Sequence, residues 1–232
     1  MNENNLKEKN KLPSEQFLNS IDAIVLDLGG VILNFDFNIA FEAFKPYALT
    51  KITLEELISG DYWKNFYFEF ERGNISPSTF RQKFKELFLR PDKNISNEEF
   101  DKYWASVQIN IPENNLQNLL LLKKALNQRG KKLFLLSNIN QLHIKDALAL
   151  FPKEKQNWDE YFDKTFFSCE MGFRKPEADI YKYILKDQNL RAERVFFIDD
   201  MKVNVEAALA LGIRAKQLNP TTDDFYSLLL RE

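Results

Sequence analysis

The chain has a single cysteine, Cys169, which excludes an internal disulfide. It has one histidine, His143, and no Cys/His cluster of the kind that holds zinc. No excess of either charge exists: 32 basic and 34 acidic residues leave a formal charge of −2. A nucleic-acid or anionic-membrane partner has no electrostatic footprint here. No apolar run reaches the ~18 residues of a membrane-spanning helix. The first residues, MNENNLKEKNKLPSEQF, lack the apolar centre of a signal peptide, so a reducing cytoplasm is the expected compartment. Glycine is scarce, 7 residues of 232, so the Gly29-Gly30 pair is informative.

What is present is ordinary in kind and rich in phenylalanine. Apolar residues make up 44% and charged residues 28%, which suits a globular fold with a sizeable core. Phenylalanine contributes 21 residues. The length corresponds to one domain with a large insertion, at roughly 150 residues per domain.

Three apolar runs stop abruptly at polar residues: DAIVLD into Gly29-Gly30, KLFLLSN over 132–138, and VFFIDD over 195–200. Unbroken apolar runs of this length read as parallel strands buried on both faces. Weaker strands are expected at 165–168 and 213–218. Helical patterns lie between them at 115–130, 178–188 and 203–212. Strand alternating with helix predicts an α/β fold, a Rossmann-like three-layer core around a parallel sheet. Residues 36–112 break the alternation. They show four amphipathic helical stretches, at 37–48, 53–73, 76–88 and 96–108, and no convincing strand, and read as a helical cap. The expected organisation is a flexible N-terminal extension over 1–20 with room for a short helix near Phe17-Leu18, a core from 21–35 and 113–232, and a cap over 36–112.

Open parallel sheets bind ligands beyond the carboxyl ends of their strands. Asp27, Ser137-Asn138 and Asp199-Asp200 end the strong strands. Gly172-Phe173-Arg174-Lys175-Pro176 follows the weaker one. Three carboxylates, a hydroxyl, an amide and a lysine form an oxygen-rich set suited to Mg²⁺ and a phosphate. A carboxylate can also attack phosphorus.

D-x-G-G-V after an apolar strand, then S-N, then R-K-P, then D-D-x-x-x-N, resembles motifs one to four of the haloacid dehalogenase superfamily. The inserted helices resemble its C1 cap. The strings DLGGVI, SNINQLH, MGFRKPEADIY and FFIDDMKVNVEAA resemble its α-D-glucose-1-phosphate phosphatase-like subgroup. The resemblance implies a Mg²⁺-dependent phosphomonoester hydrolase that works through an aspartyl-phosphate on a sugar phosphate such as glucose 1-phosphate. It implies Asp27 as nucleophile and metal ligand, with Gly29 (through its carbonyl), Asp199 and Asp200 as further ligands. Ser137 and Asn138 would bind phosphate, Lys175 would offset the negative charge, and Asn204 would orient the last loop. A small phosphate ester is the implied partner, with the protein a monomer or weak dimer.

One position departs from the pattern. Most phosphatases of the superfamily carry an acid–base aspartate two residues after the nucleophile, and here that residue is Gly29. General acid–base catalysis contributes about 10²–10⁴-fold, least for an acidic leaving group such as an anomeric hydroxyl. Two other readings stand beside hydrolysis: a phosphotransferase or phosphomutase, and a non-catalytic phosphate-binding relative. Dehalogenases also lack the second aspartate but use no Mg²⁺, so Asp199-Asp200 argues against them. His143 and the aromatic run Tyr62, Trp63, Phe66, Tyr67, Phe68 and Phe70 read as structural.

Overall fold

A computed structural model describes residues 11–49 and 60–232, without the side chains of Tyr62 and Trp63. Its centre is a parallel sheet of β1 (Ala23–Leu26), β4 (Lys132–Ser137), β5 (Lys164–Phe167), β6 (Val195–Asp199) and β7 (Arg214–Gln217), in the order β5-β4-β1-β6-β7. All four strand pairs are parallel. β1 is central and buried along its whole length. Its period-2 alternation sends Ile24 and Leu26 into one apolar layer, with Leu133, Leu135 and Ile198. Ala23 and Val25 face the other layer, with Phe134, Leu136 and Phe197. Both faces are therefore covered, as an all-parallel sheet requires.

Helices α6 (Glu113–Asn127), α10 (Ala178–Asp187) and α11 (Lys202–Ala210) cover the faces. Leu119, Leu122 and Leu126 of α6 sit on the first layer, and Ile180 and Ile184 of α10 on the second. The α/β core expected from the alternation is thus present. No described helix is long and apolar enough to cross a membrane.

The cap contributes α2 (Phe37–Phe44), α3 (Asp61–Glu71), α4 (Pro77–Phe88) and α5 (Asn97–Ala105). Ser76 and Ser96 cap α4 and α5 by accepting from the backbone N–H three residues on. Their apolar stripes meet in a separate aromatic core. Phe80 is fully buried there, stacked on Phe70 at 4.1 Å. The predicted second cap helix over 53–73 is observed from Asp61; residues 53–59 lie outside the described residues.

One expectation needs correction. The stretch 36–112 does contain a strand: β3 (Gln108–Asn110) pairs antiparallel with β2 (Asn34–Phe35). This ribbon ties together the two chain crossings between core and cap. Elements of two and three residues are too short to show an alternation. The extension over 1–20 carries a short helix around Phe17-Leu18, where one was expected. α1 (Glu15–Ser20) is capped by Ser14, and Phe17 and Leu18 are buried in the main core. The Phe17 ring meets Phe196 edge-on at 5.0 Å. Residues 1–10 lie outside the described residues.

Candidate active site

The parallel register sets Leu26 beside both Leu135 and Ile198. Asp27 and Asp199 come next on their strands and Ser137 one residue further on β4, so the three emerge together at one edge of the sheet. Asp27, Asp199 and Asp200 can bring one oxygen each within 4.8 Å of one another. Lys175 Nζ reaches into this group. It lies 2.7 Å from Asp27 Oδ1 and 2.7 Å from Asp199 Oδ2, and it donates to the Leu136 carbonyl at 3.0 Å. Lys175 is 1% exposed and Asp199 0%, so these charges are desolvated.

Three carboxylates face one ammonium. Burial pushes the Asp27 carboxyl up to about 8, against the pull of Lys175 and with added repulsion from Asp199. Burial, joined by Asp199, also raises Asp200. Burial alone would lower Lys175, but Asp199 and Asp27 outweigh it and hold the ammonium above its ordinary value. An all-oxygen set with surplus negative charge fits a hard divalent cation. Asn204 behaves as its position implied: its Nδ2 donates to both Asp199 oxygens, at 2.9 and 3.1 Å.

The two glycines do different things. Gly30 has φ +73°, and a Cβ there would sit 2.5 Å from Asp200 Oδ2. Only glycine lets that carboxylate close on the β1 loop. A Cβ at Gly29 would lie 3.1 Å from the ring of Phe35. The space beyond Gly29, where the resemblance implies an acid in most phosphatases, is taken by an aromatic ring.

Ser137 is buried and lines the cavity beside Asp27. Asn138 also holds the neighbouring loop. Its Oδ1 accepts from Lys175 N–H at 2.8 Å and its Nδ2 donates to the Lys175 carbonyl at 2.9 Å. The side-chain amide braces the lysine loop and keeps one Nδ2 hydrogen, beside the backbone N–H of Asn138, for a further partner. Ser168, which drew no attention in the sequence, braces the same region. Its Oγ accepts from Ile139 N–H at 2.9 Å and donates to the Ile139 carbonyl at 3.1 Å.

The cap closes over a cavity of about 260 Å³ whose lining includes Phe35, Phe37, Tyr67, Glu71, Gln108 and His143. That is smaller than the ~300–1,000 Å³ of drug-sized pockets and suits a phosphate with a small organic group. Glu71 of α3 pairs with Arg174, 2.9 Å away, next to Lys175. The Arg174 guanidinium lies 3.6 Å over the Phe68 ring, and Arg72 pairs with Glu177. Tyr67 shares hydrogen bonds with Glu71 and with Asn140 of the core. Tyr67 and Phe68 thus join cap to core rather than only filling the cap interior.

His143 has both ring nitrogens engaged within the protein. Asn140 Nδ2 donates to its Nδ1 at 3.1 Å, and its Nε2 donates to the Trp104 carbonyl at 3.0 Å. Burial holds its pKa down at about 4, so it is neutral and both nitrogens are engaged.

The sequence profile of the haloacid dehalogenase-like hydrolases matches residues 21–212. The chain belongs to this family. It is 27% identical to a D-ribitol-5-phosphate phosphatase of Bacteroides thetaiotaomicron over 198 residues, 85% of this chain and 91% of the relative. It is 26% identical to a sesquiterpene phosphatase of Aspergillus oryzae, covering 82% of this chain and 86% of the relative. Among solved structures, a haloacid dehalogenase family enzyme of B. thetaiotaomicron, in complex with magnesium and inorganic phosphate, superposes with a TM-score of 0.76 at 31% identity. It covers 90% of this chain and 98% of its own. As a haloacid dehalogenase-like hydrolase with phosphatases among its relatives, the protein is an enzyme of hydrolytic chemistry.

Proposed function

We propose that the protein is a Mg²⁺-dependent phosphomonoester hydrolase that forms an aspartyl-phosphate on Asp27. The observation that carries this reading is the buried cluster Asp27–Lys175–Asp199, with Asp200 within ligand reach. Asp27, Asp199, Asp200 and the Gly29 carbonyl would hold the ion. When bound, Mg²⁺ would neutralise charge shared by phosphate and Asp27.

The remaining chemistry belongs to the chain. An Asp27 oxygen bonds to phosphorus as the bond to the alcohol oxygen breaks. Lys175 stays protonated between Asp27 and Asp199 and offsets the phosphoryl oxygens. The Ser137 hydroxyl and the Asn138 backbone N–H orient those oxygens. Glu71–Arg174 and Tyr67 keep the cap over the cavity and exclude bulk water. The departing alcohol takes its proton from water, because Phe35 fills the space of the usual acid. Water then cleaves the aspartyl-phosphate, releasing phosphate.

The substrate is a sugar or polyol monophosphate. Glucose 1-phosphate suits the missing acid through its acidic leaving group, and D-ribitol 5-phosphate is the substrate in a relative's name. The test is phosphate release from both esters and from p-nitrophenyl phosphate, with Mg²⁺ and after chelation. Turnover that requires Mg²⁺ is expected. Turnover unaffected by chelation would refute the metal assignment, and glucose 6-phosphate formed from glucose 1-phosphate would indicate a mutase instead.

A further inference from the structure

Phe35 is a large apolar side chain at the site that is not buried. It is 41% exposed, and most of a phenylalanine's surface is ring, so the ring itself is open. Its position is fixed by atoms. Cδ1 and Cε1 lie 3.1 and 3.2 Å from where a Cβ on Gly29 would sit, two residues after Asp27. The ring begins an aromatic row. Phe35 meets Phe37 edge to face at 5.8 Å, and Phe37 meets Tyr67 of the cap in the same way at 6.4 Å. An open ring beside the nucleophile offers carbon surface to whatever the phosphate on that side carries.

The polar side chains of the cap side are engaged elsewhere. Tyr67 bonds to Glu71 and Asn140, and Glu71 also to Arg174. His143 has its nitrogens on Asn140 and the Trp104 carbonyl. Recognition of the alcohol part therefore falls on the rings. We infer that Phe35 is a specificity-determining residue whose ring packs against a flat carbon face of the substrate's alcohol moiety. The inference rests on the phosphatase reading and deepens it.

A second property of the same ring narrows the class. Phe35 takes the space of the usual acid, so an alcohol that leaves readily without one is favoured. An acidic leaving oxygen and a flat carbon face occur together in two kinds of ester. One is a sugar phosphorylated at its anomeric oxygen, which presents the C–H face of a pyranose. The other is an aryl phosphate. An open-chain polyol phosphorylated on a primary carbon has neither property.

The test is steady-state kinetics with Mg²⁺ on glucose 1-phosphate, phenyl phosphate, D-ribitol 5-phosphate and acetyl phosphate. Acetyl phosphate has an acidic leaving group and no ring. In the wild type, kcat/KM for at least one of the two ring-bearing esters should exceed that for D-ribitol 5-phosphate. Phe35→Leu keeps an apolar side chain and removes the ring. It should raise KM for the preferred ring ester by about 3–10-fold with little change in kcat. Its effect on acetyl phosphate should be at most about twofold, and Phe35→Tyr, which keeps the ring, should restore the KM of the ring ester. A loss confined to glucose 1-phosphate names the pyranose face as the occupant, and one confined to phenyl phosphate names the aryl face. A preference for D-ribitol 5-phosphate over both ring esters overturns the assignment. So does an equal loss on acetyl phosphate and the ring esters, which a role in shaping the β1 loop alone would give, or no loss on either ring ester. If acetyl phosphate is hydrolysed in the same assay, the phosphatase reading survives that failure. If nothing on the panel is hydrolysed, the phosphatase reading falls, and the role of Phe35 with it.

Discussion

Replacing Lys175 with methionine keeps most of the side-chain volume and removes one charge from the most desolvated point of the site. Lys175 Nζ is 2.7 Å from two carboxylates and 3.0 Å from the Leu136 carbonyl. Removing one partner of a buried ion pair costs about 3–5 kcal/mol, because the other charge is left unpaired. At ~2–4 °C per kcal/mol for a chain of this size, the metal-free variant should melt about 6–20 °C lower. The loss should grow with pH. At low pH Asp27 holds a proton and needs no lysine, whereas at high pH its anion is left buried without a cation. Millimolar Mg²⁺ should recover part of the loss by binding the folded state alone. The assay is urea unfolding of wild type and Lys175→Met in chelator and in Mg²⁺, at several pH values. A loss below about 1 kcal/mol in chelator, unchanged by pH or Mg²⁺, would refute the electrostatic account of the site.

Asp27→Asn should stabilise the metal-free protein while abolishing turnover. The folded carboxyl titrates at about 8 and the unfolded one at 3.8. The folded protein therefore keeps a proton that the unfolded chain has lost, and stability falls as pH rises between these values. The variant should lack this fall, gaining at least about 1 kcal/mol at pH 8; equal wild-type and variant pH profiles in urea would contradict it. His143 acts in the opposite direction. Its folded pKa of about 4 lies below the ordinary 6.5, so its contribution is complete above 6.5 and is lost as pH falls towards 4. The difference corresponds to roughly 3 kcal/mol, and acid unfolding of His143→Gln should show a correspondingly weaker pH dependence. Gly30→Ala would set a Cβ 2.5 Å from Asp200 Oδ2, whereas Gly130→Ala meets nothing within 4 Å, although both glycines have positive φ. Both variants should lose about 1 kcal/mol of stability, but only Gly30→Ala should weaken Mg²⁺ binding, which titration calorimetry would read.

Much of the site was legible because the chemistry lies at strand ends. Apolar runs stopping at Asp27, Ser137 and Asp199 show both a parallel strand and the edge where its ligands gather. The parallel register does the rest without further information. The cap side was not legible. Helical periodicity separates the apolar face of α3 from its polar face, but it cannot show that Tyr67 and Glu71 cross to Asn140 and Arg174 of the core. Gln108 and Phe35 were hidden for a different reason. They sit on strands too short to have a pattern, and only the contact a Cβ at Gly29 would make shows what the Phe35 ring does there. Asn138 shows the limit of motif reading: its place in the motif is clear, yet its side chain braces the Lys175 loop.

The central claim is that Asp27 becomes covalently phosphorylated. Acid quenching of wild type during turnover of p-nitrophenyl phosphate with Mg²⁺, followed by peptide mass spectrometry, tests it most directly. A phosphoryl adduct on the peptide spanning 23–33, localised to Asp27 and absent in Asp27→Asn, is the predicted result. Steady turnover with no adduct, or undiminished phosphate release by Asp27→Asn, would contradict the account.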